Sequence, residues 1–118
     1  MQHSSILCAL PLMLLLATGQ ASAHAMLDHT EPRVGKEVAA TPREVTLWFT
    51  QKIEPAFSTI TVTDSAGKRV DTGKTRVSGT QMSVSLRQGG SGTYRVTWRV
   101  LSVDSHKTDG SFSFQVGQ

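Results

Sequence analysis

Beyond His24 the apolar and polar positions of the chain alternate with a period of two. Val45, Leu47 and Phe49 are interleaved with Thr46, Trp48 and Thr50, and Ile60 and Val62 with Thr59, Thr61 and Thr63. The pattern repeats at Met82, Val84 and Leu86, at Tyr94, Val96, Trp98 and Val100, and at Phe112, Phe114 and Val116. Successive side chains of a strand point to opposite faces, so each run predicts a half-buried β-strand. The β-branched and aromatic residues that dominate these runs fill a pleated surface well. Weaker strands are expected over 34–38 and 69–76. Between the runs stand breakers: Glu31-Pro32-Arg33, Thr41-Pro42, Glu54-Pro55, Ala66-Gly67, Ser78-Gly79, Gly89-Gly90-Ser91-Gly92 and Asp109-Gly110. About seven strands with frequent turn signals predict an all-β sandwich or small Greek-key barrel, without internal repeat or linker.

The first 23 residues do not share this pattern. Residues 6–17 are almost uninterrupted Leu, Ala, Ile and Met, too short to span a membrane, and Ala21-Ser22-Ala23 offers a small-x-small cleavage site. No Lys or Arg precedes the apolar run. We read residues 1–23 as a secretory signal and 24–118 as one exported domain with no membrane insertion of its own. The single cysteine, Cys8, falls in the signal, so the exported domain would hold neither disulfide nor thiolate ligand. With 118 residues the chain has room for one small domain, which excludes two-domain enzymes. Its 12 Lys+Arg against 9 Asp+Glu are scattered. Solvated strand faces and turns account for them, and no nucleic-acid partner is expected.

Candidate chemistry is sparse. Serines and threonines alternate with core residues, and after processing only His24, His29 and His106 remain, so no Ser-His-Asp triad is read. Gly89-Gly90-Ser91-Gly92 reads as a hairpin turn, since no helix follows to present amides to an anion. His24 is the informative position. As the first residue of a processed chain it would offer its α-amine and imidazole Nδ1 to one metal, a nitrogen pair suited to Cu(II). Asp104 and His106 are two apart after the longest alternating run, which would place both on one strand face with Ser105 opposite. Together these residues supply three nitrogens and one oxygen. Each feature also has a plain structural reading: a frayed first residue, and a turn aspartate beside an exposed histidine.

Several blocks carry a family resemblance. His24-Ala25-Met26-Leu27, Thr30-Glu31-Pro32, Leu47-x-Phe49-Thr50, Tyr94-Arg95-Val96-x-Trp98, Val103-Asp104-Ser105-His106-Lys107-x-x-Gly110 and Phe112-Ser113-Phe114-x-Val116-Gly117 resemble the CopC family of periplasmic copper-binding proteins. The resemblance implies a seven-stranded, Greek-key, cupredoxin-like (Ig-like) β-barrel that holds one Cu(II) per chain. It implies His24, Asp104 and His106 as the metal ligands and suggests an inner-membrane copper transporter of the CopD type as partner. Some relatives also carry a methionine-rich Cu(I) loop, but here the exported domain has only Met26 and Met82, so a separate Cu(I) site is not expected. Met82 reads as core and Met26 as packing in a first strand. His29, beside Asp28, reads as a surface residue, Glu54 receives no role, and Trp48 and Trp98 read as wall and core.

The expected activity is therefore that of a periplasmic Cu(II) carrier for copper resistance or homeostasis, not an enzyme. Nitrogen donors with an anionic oxygen favour Cu(II), and acid should release it, because the α-amine (~7.7–8.0) and imidazoles (~6.5) must lose protons to bind. The competing readings are a copper-dependent oxidative enzyme of the polysaccharide monooxygenase type and a metal-free β-sandwich interaction module.

Overall fold

The computed structural model describes residues 26–117. The expected signal segment and His24 lie outside the described residues. The described chain is all-β apart from one 3-10 turn, Pro55–Phe57. It comprises β1 (Leu27–Glu31), β2 (Glu37–Val38), β3 (Glu44–Phe49), β4 (Thr59–Thr63), β5 (Asp71–Ser78), β6 (Gln81–Leu86), β7 (Gly92–Leu101) and β8 (Lys107–Val116). One sheet has the order β1-β3-β6-β5 and the other β2-β8-β7-β4. The alternating residues meet between them: Val45, Leu47, Met82 and Val84 from the first sheet, Ile60, Val62, Tyr94, Val96, Trp98 and Phe114 from the second, all essentially inaccessible to solvent. No helix among the described residues is long and apolar enough to cross a membrane.

Eight strands replace the expected seven, and the differences have local causes. β1 escapes the period-two reading because Leu-Asp-His-Thr-Glu buries a threonine: Thr30 is inside, its hydroxyl satisfied by Pro32 O at 2.7 Å. The expected strand at 34–38 shrinks to the two residues of β2, which run parallel to the end of β8. Asp109-Gly110, expected to break the chain, instead lies inside β8. Gly110 is opposite Trp98, and a Cβ there would come within 2.7 Å of the indole, so the missing side chain makes room for the largest core residue.

The glycine-rich segment is not a hairpin turn either. It carries the chain from β6 in one sheet to β7 in the other. Tyr94 explains its composition, because its buried hydroxyl donates to Gly90 O at 2.7 Å and a Cβ on Gly89 would overlap that hydroxyl. On the opposite side the sheet edges are tied by side chains. Val62 N donates to Asp71 Oδ2 at 2.8 Å and Ile60 N to Thr75 Oγ1 at 3.2 Å, so β4 presents fewer free donors at its edge. β7 and β8 pair without a register break from Gly92↔Val116 to Leu101↔Lys107, making a long hairpin whose tip projects residues 102–106.

Candidate metal centre

The hairpin tip is built by backbone hydrogen bonds. Ser102 N donates to His106 O and Ser105 N to Ser102 O, each at 2.9 Å. Ser105 takes a left-handed φ of 75°, unusual for a residue other than glycine, and this turns the chain back. The tip is pinned to the segment after β3 by the Ile53↔Ser102 bridge and by Val103 N donating to Lys52 O at 2.9 Å. Asp104 and His106 are thus not alternate residues of a strand, as the spacing suggested. A tight turn brings them together, with His106 Nδ1 3.4 Å from Asp104 Oδ1. Both side chains are open to solvent, His106 by 75% and Asp104 by 45%.

Two neighbours hold the carboxylate. Ser102, 1% exposed, donates its hydroxyl to Asp104 Oδ1 and accepts from His106 N at 3.2 Å, so one buried oxygen ties both ends of the turn. The Gln51 carboxamide, assigned the orientation that turns its nitrogen to the carboxylate, donates to Asp104 Oδ1 at 3.0 Å and Oδ2 at 2.6 Å. The Ser102 hydrogen bond is the main reason the Asp104 carboxyl lies below its usual range; partial desolvation opposes it and His106 assists. The outcome is an oriented, ionised oxygen donor beside an exposed imidazole. Neither Ser102 nor Gln51 was picked out as a functional candidate from the sequence. Ser-x-Asp at a strand end is a local signal for Ser102. For Gln51 no local signal exists, because it reaches Asp104 across more than 50 positions of chain.

Met26 is anchored to the end of β3 and to β8. Met26 is 5% exposed; its carbonyl accepts from Thr50 N at 2.6 Å and its sulfur from Thr108 Oγ1 at 3.5 Å. Met82 is buried, as the alternating pattern predicted, and Met26, read as packing in a first strand, is buried immediately before β1. His29 stacks on half-exposed Trp48, with ring centroids 4.3 Å apart, and its Nδ1 is 2.6 Å from Asp28 Oδ2. It is an exposed residue, as expected. Glu54 opens the 3-10 turn, its N donating to Leu101 O at 2.8 Å. Among the described residues no three His, Cys, Asp or Glu side chains come close enough together to hold a metal. Asp104 and His106 thus present two candidate donor groups side by side at the hairpin tip.

Known proteins share this architecture. The CopC domain family matches residues 27–117. Protein YobA of Escherichia coli (strain K12) is 35% identical over 105 residues, spanning 86% of this chain and 85% of its own. Copper resistance protein C of Xanthomonas campestris pv. juglandis is 33% identical over 110 residues, spanning 86% of each chain. Copper transport protein CutJ of Bacillus subtilis (strain 168) is 32% identical over 100 residues, 81% of this chain but 18% of CutJ. The crystal structure of CopC from Methylosinus trichosporium OB3b matches with a TM-score of 0.73 and 33% identity, covering 79% of this chain and 93% of that one. PcoC of Escherichia coli, described as a methionine-rich copper resistance protein, matches with a TM-score of 0.68 and 29% identity, covering 80% and 99%.

Proposed function

Because the chain belongs to the CopC family, we propose that it is a periplasmic Cu(II) carrier whose ion is held by His24, Asp104 and His106. In this reading residues 1–23 are removed on export, and His24 contributes both its new α-amine and its imidazole. Three nitrogens and one carboxylate oxygen make the tetragonal N,O set that Cu(II) prefers. The observation that carries the reading is the hairpin tip, where Asp104 and His106 stand 3.4 Å apart, exposed and facing one another. Met26 supports it: anchored to Thr50 and Thr108, it ties the start of the domain to the residue next to Gln51, the partner of Asp104. His24 precedes Met26 by two positions in the sequence.

Both methionines of the proposed domain are buried, and the Met26 sulfur already accepts a hydrogen bond, which favours Cu(II) over a thioether-bound Cu(I) cargo. The protein acts as a carrier and not an enzyme. A membrane copper transporter of the CopD type is the recipient or donor, a reading supported by CutJ, where the matching stretch is joined to a much longer copper transport protein. The deciding experiment compares the chain starting at a free His24 with the same chain carrying one additional residue before it. Cu(II) affinity, measured by competition titration, falls by orders of magnitude in the extended protein. Equal affinities, or a secreted product whose mass shows a different first residue, overturn the proposal.

A further inference from the structure

The outer faces of the two sheets carry charge in different ways. On the β1-β3-β6-β5 sheet, Arg76 is committed to Glu44 at 2.6 Å and to the hydroxyls of Ser83 and Ser85 at 3.1 Å. On the other sheet, register sets Thr59, Arg99 and Asp109 in one row, Thr61, Thr97 and Ser111 in the next, and Thr63, Arg95 and Ser113 in a third. Lys107 extends the array at the Leu101 rung. Arg95 meets only the Ser111 hydroxyl, at 2.8 Å, while Arg99 and Lys107 have no partner among the described residues. Three cations stand there against one carboxylate, Asp109.

This face is also concave. A cavity of about 400 Å³ lies between Phe57, Arg99, Leu101, Lys107 and Asp109. Two smaller ones of about 320 Å³ adjoin it along Arg95, Thr97 and Ser111 and along Thr59 and Thr61. All three adjoin one another at Arg99 and together make a shallow trough on the strand face. At its hairpin end Phe57 is 69% exposed, yet it sits in a 3-10 turn fixed by Glu54 N to Leu101 O at 2.8 Å, so the ring is displayed on a braced support.

We propose that this trough docks an acidic, extended polypeptide segment of a protein partner. Carboxylates of the segment pair with Arg95, Arg99 and Lys107, and one apolar side chain covers Phe57 and Leu101. The trough follows β7 from residue 95 to residue 101, roughly 20 Å, the span of about six extended residues. A single nucleic-acid strand is held by aromatic side chains on which its successive bases stack, and the lining of this face includes one aromatic ring, Phe57. A lipid surface calls for a cluster of roughly four to eight Lys or Arg, which this face lacks. The docked segment would end beside the turn that carries Asp104 and His106. The proposal does not rest on copper binding at that turn.

The test uses metal-free, 15N-labelled protein titrated with a capped hexapeptide of five carboxylates and one leucine, and with its carboxamide counterpart. The acidic peptide gives saturable amide shifts at Phe57 and along residues 95–109, weakening as salt is raised. Joint Arg95→Gln and Arg99→Gln substitution weakens binding at least about tenfold, Phe57→Ala weakens it less, and Arg76→Gln on the other sheet leaves it unchanged. The double variant retains its Cu(II) affinity, so loss of peptide binding and loss of copper binding are separate failures. Equal response to the carboxamide peptide, insensitivity to the double substitution, or tighter binding to phosphatidylglycerol vesicles or an oligothymidylate overturns the proposal.

Discussion

Asp71 and Asp104 are each preceded by a valine and, two positions back, by the side chain that grips them: Arg69 for the first, Ser102 for the second. Their fates differ. Asp71 is 2% exposed, and its carboxylate accepts from Arg69 Nε and Nη2, both at 3.0 Å, and from the backbone of Val62 and Gly73, both at 2.8 Å. Burial alone would push that carboxyl up; the Arg69 hydrogen bonds, then the Val62 N–H, the Arg69 charge and the Gly73 N–H, carry it below the usual range. Asp104 is held by Ser102 and Gln51 but is left open toward His106 and solvent. A carboxylate enclosed by four donors joins the edges of two sheets. One held on part of its surface keeps lone pairs for a guest.

The contrast is broken most severely at Asp71. Asp71→Ala leaves the Val62 and Gly73 N–H groups without acceptors, a loss of roughly 2–4 kcal/mol in urea unfolding at pH 7. Half-exposed Arg69 turns to solvent and adds little. Folded Asp71→Ala protein keeps its Cu(II) affinity. Asp104→Ala does the opposite: the urea midpoint stays where it was, and competition titration shows Cu(II) binding weakened about a hundredfold or more, beyond what loss of an outer-shell partner costs.

Acid sharpens the comparison. Because Asp71 titrates lower in the folded than in the unfolded chain, its contribution is complete above about pH 4 and is lost as pH falls through the folded value. Unfolding scans between pH 5 and 2 show stability falling for the native protein, with a shallower slope in Asp71→Asn. The smallest effect belongs to Gln51→Leu, which frees one side of Asp104 and weakens Cu(II) about tenfold with unfolding unchanged. A Gln51→Leu variant that binds copper normally removes the amide from the account of how Asp104 is oriented.

Strand positions were legible wherever burial was one-sided and regular. Tyr94 to Val100 and Phe112 to Val116 alternate because one face meets the opposing sheet and the other is open to water, while in β3 Thr46 is buried as well. β1 was not legible, since its pairing with β3 runs through backbone groups that every residue type possesses. Gly110 looked like a turn because only its neighbour across the ladder, Trp98, explains why a side chain is excluded there.

The candidate ligands Asp104 and His106 could be named from their order in the chain. What brings them together is a turn at Ser105, not strand alternation. Local order and composition determined the all-β class and the core faces, because these follow from a period of two. Tertiary structure alone decided that Gln51 steadies Asp104, that Met26 is anchored to Thr50 and Thr108, and that unpaired Arg99 lines a cavity with Phe57. Each of these depends on contacts between residues far apart in sequence, created when the sheets close on one another and encoded in no short stretch of chain.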